Sequence, residues 1–369
     1  MISSLPPITG LSPYTKGLVQ ELAKIIPVHF LGFNHIYPKF LYPGKMRDES
    51  AAPLREHDQL RIRNVLNWYN PIGWVIEAFR IKTPIVHAQW WSYPLAFLYI
   101  IILGICKLRG KKIVLTVHNV LPHEKNPIKI LFNKSVFFLG DEYIVHTQTN
   151  KEELQALVKN KPIHVIKHGL IKNPLKGISR DQARSLLKVA PDDKILLCFG
   201  HIRDYKGLDI ALQSLALIKD PTVKLFVAGK CWEDWDKYAK LIEGLNLKGR
   251  VILKIGFIAT NEIEQIFRAS DIILLPYKHF NSQSGVGALI LPFHIPLIVS
   301  DTGGLRDYVR DPRCVTRPGD HKELAQKVTQ VLQDKTLRQK LADDCFQVEK
   351  ELSWDTIAKQ TVEEVYTKI

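Results

Sequence analysis

The chain is poor in anything that crosslinks it or spans a bilayer. Its five cysteines (Cys106, Cys198, Cys231, Cys314 and Cys345) are scattered over 369 residues with no C-x-x-C pair. An odd, dispersed set argues against a disulfide framework or a zinc knuckle, and for reduced thiols in a cytosolic protein. Long apolar runs are scarce too. The run WWSYPLAFLYIIILGIC, Trp90 to Cys106, contains Ser92 and Pro94 and is shorter than the roughly 20 residues of a spanning helix, so it reads as a buried helix. Neither G-x-G-x-x-G nor a Walker loop occurs, which removes the usual support for dinucleotide or ATP binding. The opening MISSLPPITG lacks the basic and apolar regions of a secretory leader. It also leaves little room for a first strand, as though a few residues preceded it.

Acidic residues are the other shortage. There are 51 Lys+Arg against 37 Asp+Glu, a net charge of +14, and the deficit is one-sided. Residues 1–176 hold 23 basic and 11 acidic side chains, a surplus of 12, while residues 177–369 hold 28 and 26. A basic first half implies an anionic partner there, such as lipid head groups or a phosphorylated substrate. Nucleic acid is disfavoured, because the cations do not interleave with aromatics in any recognised module.

What is present is alternation. Short apolar runs and amphipathic helical patterns follow one another in both halves, the signature of parallel α/β sheets. The strands of the first half are VHFLGF, PIVHA, KIVLTV, EYIVH and IHVI, and those of the second KILLCF, KLFVAG, VILKIG, DIILLPY and PLIVS. The length suits two domains. We expect residues 1–175 and 176–350 to form two Rossmann-like domains, with 351–369 a helix crossing back to the first. IKNPLKGISRDQARSLLK reads as the hinge between them. Such a pair leaves a cleft at the carboxyl ends of both sheets.

The loops at the strand ends carry the chemistry. In FGHIRDYKG, Gly200 lets the chain turn off a strand and Gly207 lets backbone approach a ligand. Arg203 and Lys206 stand between them beside a helix start, which suits a diphosphate. Gly10 in PPITG sits in a similar turn, and Ser284-Gly285-Val286-Gly287 offers amides at another helix start. His118 follows the strand VLTV directly, where it can bond a sugar or accept a proton. The spacing of His118, His123 and Glu124 is a poor zinc pattern. His87, in VHAQWW, reads as structural.

Taken in order, PITG, IVHAQWW, VLTVHN, VIKHG, FGHIRDYKG, ASDIILLPY, HIPLIVSDTGGL and LSWDTIAKQTVEEVY resemble the motifs of the GT-B glycosyltransferases of family 4. The resemblance covers almost the whole chain. It implies an α/β GT-B fold and a sugar-nucleotide substrate, UDP- or GDP-linked, with retention of anomeric configuration and no cofactor or metal. It implies that Arg203 and Lys206 hold the donor diphosphate beside the Gly200 turn, with Gly10 touching it from the other domain. His118 would contact the transferred sugar as a catalytic residue. Ser284, Gly285 and Val286 would offer amides, and Phe257 and Ile258 would lie beside the base.

One departure stands out. The family usually carries two glutamates eight residues apart before its G-x-P element, and their places fall near Asn281 and Leu289. The sequence resembles a subgroup with PY…QSGV instead, leaving Asn281 as the donor-side candidate.

These readings converge on a hexosyltransferase that moves a sugar to a glycan or lipid-linked acceptor in polysaccharide or glycolipid synthesis. It would be cytoplasmic and peripheral at the inner face of an anionic membrane, with KNPIKILFNKSVFFLG (Lys125–Gly140) as an interfacial stretch. The alternatives are a GT-B nucleotide-sugar epimerase and a catalytically silent nucleotide-sugar-binding protein.

Overall fold

The computed structural model describes residues 1–8, 10–38, 47, 53–120, 127–171, 175–280 and 283–368. They form two compact units, Met1–Ile171 together with Leu352–Ile369, and Lys172–Glu351.

The first unit is built on a seven-stranded sheet: β1 (Ile2–Ser3), β2 (Val28–His35), β3 (Leu60–Asn67), β4 (Ile85–Trp90), β5 (Lys112–Val117), β6 (Glu142–Val145) and β7 (Ile163–Val165). Every pairing is parallel, in the order β3-β2-β1-β4-β5-β6-β7. The second unit holds β8 (Lys194–Phe199), β9 (Val223–Gly229), β10 (Val251–Ile255), β11 (Ile272–Leu275), β12 (Leu297–Ser300) and β13 (Val315–Thr316), again all parallel, ordered β10-β9-β8-β11-β12-β13. Strands such as KIVLTV are apolar on both faces because helices cover both sides of a parallel sheet. In each sheet the order reverses once, between β1 and β4 and between β8 and β11. Loops leaving the carboxyl ends of those strands diverge there, which opens a crevice.

The helices are α1 (Ser12–Ile25), α2 (Pro71–Arg80), α3 (Ala96–Leu108), α4 (Pro127–Leu139), α5 (Gln148–Gln155), α6 (Arg180–Leu186), α7 (Leu208–Leu217), α8 (Asp236–Gly244), α9 (Thr260–Arg268), α10 (Gly285–Ile290), α11 (His321–Gln333), α12 (Lys335–Glu351) and a terminal helix, Trp354–Glu364. The terminal helix belongs to the first unit, and its Trp354 explains why. The indole N–H donates to the Leu170 carbonyl at 2.7 Å, and the ring packs in one core with Leu18, Leu22 and Ile357. A Cβ at Gly17 or Gly169 would lie 2.3 or 2.6 Å from that ring, so only glycine admits it.

Three strands escape the sequence pattern. β1 and β13 are two residues long, too short to show a period, and β3 (LRIRNVLN) is half polar, with a run of three exposed residues in its middle. The apolar run from Trp90 to Cys106 is not one buried helix. Trp90 closes β4, a 3-10 turn spans Tyr93–Leu95, and α3 begins only at Ala96. Ser92 and Pro94 break the run, and Phe97 and Leu108 stay exposed. No described helix is long and apolar enough to cross a membrane. Part of the expected hinge is ordered within the second unit. Ser179 caps α6 through a capping box, and the N–H groups of Lys176 and Gly177 donate to Glu264. All five cysteines are free.

Candidate functional site

In the second unit the loop after β8 carries Gly200, Arg203 and Lys206 to the crevice. Its path depends on two left-handed glycines, Gly200 at φ +101° and Gly207 at φ +70°. A Cβ on Gly207 would stand 2.0 Å from the Pro276 carbonyl oxygen, so this loop passes the end of β11 only as glycine. Lys278 then braces it. Its N–H donates to the Tyr205 carbonyl at 2.7 Å, and its ammonium bridges Asp204 at 3.0 Å and Asp209 at 2.9 Å.

The loop's own cations are treated differently. Among the described residues neither Arg203 nor Lys206 has a carboxylate partner. The Lys206 ammonium lies 5.4 Å from the centre of the Tyr277 ring, and the Arg203 guanidinium 4.8 Å from that of Trp232, which Lys230 also faces at 5.2 Å. Desolvation first, then the charge of Arg203, lowers the Lys206 pKa to about 8. His201, beside Trp232, is lowered by burial and by Lys206, Arg203 and Lys230. Cations gathered without compensation form a receptor for an anion.

Of these residues His201, Lys206 and Tyr277 line a cavity of about 350 Å³, whereas Arg203, Lys230 and Trp232 lie outside its lining. Gly200, His201 and Lys206 line one side and Ser284, Gly285 and Val286 another. Tyr205 and Phe280 stack at 6.1 Å, with Tyr277 edge-on to both. Ser284 caps α10, its Oγ accepting from the Gly287 N–H at 3.3 Å, while its carbonyl accepts from the Tyr308 hydroxyl at 2.9 Å. The Gly285 and Val286 amides, in the first turn, have no intrahelical acceptor. With only six residues in α10, these amides rather than a helix dipole are what the segment offers.

Some expected members lie elsewhere. Phe257 and Ile258 follow β10 and do not line the cavity, and Phe257 is 86% exposed. Asn281 lies outside the described residues. Leu289, the other position counted from the resemblance, lines the cavity that Lys206 also lines and brings an apolar side chain to it. Gly10, in the first unit, has φ +84° and open space where its Cβ would be, leaving its backbone bare.

In the first unit His118 is buried at the carboxyl end of β5, its backbone N–H donating to the Trp90 carbonyl at 2.9 Å. It is not alone. His146 follows β6, His168 follows β7, and both surround Tyr14 with His118, at ring separations of 4.7 to 5.3 Å. Burial, then the neighbouring imidazoles, drives His118 well below the ordinary histidine range, and burial holds His168 at about 4. His87 lies within β4, with Nε2 2.7 Å from Thr116 Oγ1 and Nδ1 against the Tyr366 hydroxyl, a structural role. Among the described residues no cluster of His, Cys, Asp and Glu could hold a metal ion. Sequence reasoning missed His146, His168, Trp232 and Tyr277. For His146 the signal was there: like His118, it is the first residue after a buried strand.

Residues 179–345 match the family model described as "Glycosyl transferases group 1". Among curated proteins, a D-inositol 3-phosphate glycosyltransferase of Mycobacterium marinum is 26% identical over 191 residues, covering 50% of this chain and 40% of that protein. Another, of Streptosporangium roseum, is 23% identical over 325 residues, covering 83% of this chain and 68% of its own length. Across three such D-inositol 3-phosphate glycosyltransferases the matches span between 40% and 66% of the relative's own length. A sucrose-phosphate synthase structure from Thermosynechococcus elongatus superposes with a TM-score of 0.68 at 18% identity, covering 100% of this chain and 98% of that one. Anabaena Alr3699/HepE in complex with UDP-glucose gives 0.68 at 16%, covering 99% and 98%. The chain therefore has the GT-B fold of two Rossmann-like units with parallel sheets, and its second unit carries the match to the group 1 glycosyltransferases.

Proposed function

We propose that this protein is a retaining hexosyltransferase that takes a sugar from a nucleoside-diphosphate donor, UDP- or GDP-linked, without a metal. The observation that carries the reading is the pair Arg203 and Lys206, two cations of one loop without acidic partners among the described residues, Lys206 lining a cavity edged by the Ser284–Val286 segment and Arg203 standing against Trp232. As the bond from the sugar to the diphosphate breaks, negative charge gathers on the departing phosphate, and fixed cations in a desolvated pocket stabilise it. The described lining residues include no carboxylate, so these side chains rather than an acid-held metal would meet that charge. His118 would receive a sugar hydroxyl, and Gly10 the diphosphate. Retention rests on the resemblance to family 4.

The acceptor would be a glycan or a lipid-linked sugar at an anionic membrane surface. On α2, Ile72, Ile76 and Phe79 form one exposed stripe, with Arg80 beside it, and on α4 Leu131 and Phe138 flank the exposed Lys134. Apolar side chains among cations suit insertion at an anionic interface.

A panel of UDP, GDP and ADP, each with its sugars, scored by the rise in melting temperature, tests the donor assignment. Stabilisation by none of them would sink it. Leu289 in the cavity favours a second reading, a silent nucleotide-sugar binder. Release of nucleoside diphosphate on adding acceptor excludes that reading, and release without acceptor points to the epimerase class.

A further inference from the structure

His118 and His146 leave neighbouring strands whose register pairs Val114 with Glu142 and Thr116 with Ile144, so the two rings emerge side by side. His146 Nδ1 lies 2.8 Å from the Ile166 carbonyl oxygen. A carbonyl only accepts, so the proton of His146 sits on Nδ1. Buried beside His168 and Tyr14, with no carboxylate bonded to it among the described residues, the ring stays neutral; burial first, then His168, lowers its pKa to about 3. Its Nε2 is then a lone pair, 3.1 Å from His118 Nδ1. His118 must donate across that contact, so its single proton also sits on Nδ1. That leaves Nε2 of His118 as a bare acceptor, and this atom is buried with no partner among the described residues. A buried acceptor left unpaired is costly unless a ligand brings a donor.

We infer that His146 is a positioning residue. It locks His118 into the Nδ1–H tautomer, so that Nε2 offers a lone pair, and no proton, to a hydroxyl of the bound ligand. The hydroxyl rests on the sugar-transfer reading above; the tautomer does not. In this arrangement His118 accepts a hydrogen bond or a proton but cannot serve as an acid towards the ligand.

Two-bond ¹H–¹⁵N spectra of the ¹⁵N-histidine-labelled, ligand-free protein at neutral pH read the tautomer directly, with His118 assigned by the signal lost in His118→Gln. The expected result is Nδ1–H for His118. His146→Phe removes the acceptor and should shift the tautomer ratio about five- to tenfold towards Nε2–H, the equivalent of one hydrogen bond. His146→Gln returns an acceptor oxygen near the Nε2 position and should restore the ratio. An Nε2–H proton on wild-type His118, or an unchanged ratio in His146→Phe, overturns the inference. The wild-type spectrum decides the matter even if the Phe variant does not fold. Failure of every nucleotide to bind would sink the transferase reading while leaving this result standing, and the reverse tautomer would do the opposite.

Discussion

The Lys206 ammonium faces the ring of Tyr277, 5.4 Å from its centre, and no described carboxylate pairs with it. One residue further along the chain from Tyr277, Lys278 is held between Asp204 and Asp209. Two lysines of one local neighbourhood thus have opposite fates, one neutralised as a brace and one left charged over a cavity.

Lys206→Met should therefore separate binding from stability. Removing a desolvated, unpaired cation leaves the melting temperature unchanged or raises it. Losing its charge-assisted contact weakens nucleoside-diphosphate binding by about 10- to 150-fold. Calorimetric titration with UDP and GDP beside a thermal melt checks both; unaltered affinity for the diphosphate that the wild type binds best contradicts the assignment.

The same lysine sets a pH dependence. Its pKa falls from 10.5 to about 8 in the folded protein, so between those values the unfolded chain binds more protons. Stability then rises with pH across that window, as linkage requires for a lowered base. Diphosphate affinity moves the other way, falling as pH passes about 8 and the ammonium is lost. Titrations at pH 7, 8 and 9 should show that fall, and Lys206→Met should flatten it.

Gly207→Ala tests the loop. The new Cβ would meet the Pro276 carbonyl in a backbone already at φ +70°, a strain of about 1–3 kcal/mol or more. Urea unfolding should show that loss together with weaker nucleotide binding. Gly177, also at positive φ but with open space around its Cβ position, serves as the comparison, and its alanine variant should lose less.

The proposed membrane association depends on α2 and α4. Sedimentation with vesicles rich in anionic lipid should decline as salt rises. Ile76→Glu or Phe138→Glu should reduce it at low salt. Neither side chain belongs to the cavity or the histidine cluster, so nucleotide binding should persist.

Much of the site was legible locally. Gly200 and Gly207 around two cations, placed after an apolar strand, announce a sharp turn at the carboxyl end of that strand, and both glycines do take positive φ. His118 could be placed because a buried strand ends at Val117. Leu289 was singled out only by counting against the resembled motif, and the structure has it among the lining residues of the cavity. Trp232 and Tyr277 were not legible as ring supports for cations, since aromatic residues near strand ends usually just pack.

What the amino-acid order determined by itself is the set of local states: parallel strands from two-sided apolar runs, helices from their periodicity, sharp turns from glycines that alone tolerate positive φ. What only the tertiary structure decided is company. Strand order, a long-range matter of sheet pairing, sets His118 beside His146 and so fixes where its proton resides. The packing of Trp354 against Gly17 and Gly169 carries the terminal helix back into the first unit. Carboxylates reach Lys278 and miss Lys206, because Asp204 and Asp209 project towards one lysine and away from the other. Such contacts join residues tens to hundreds of positions apart, and no local pattern encodes them.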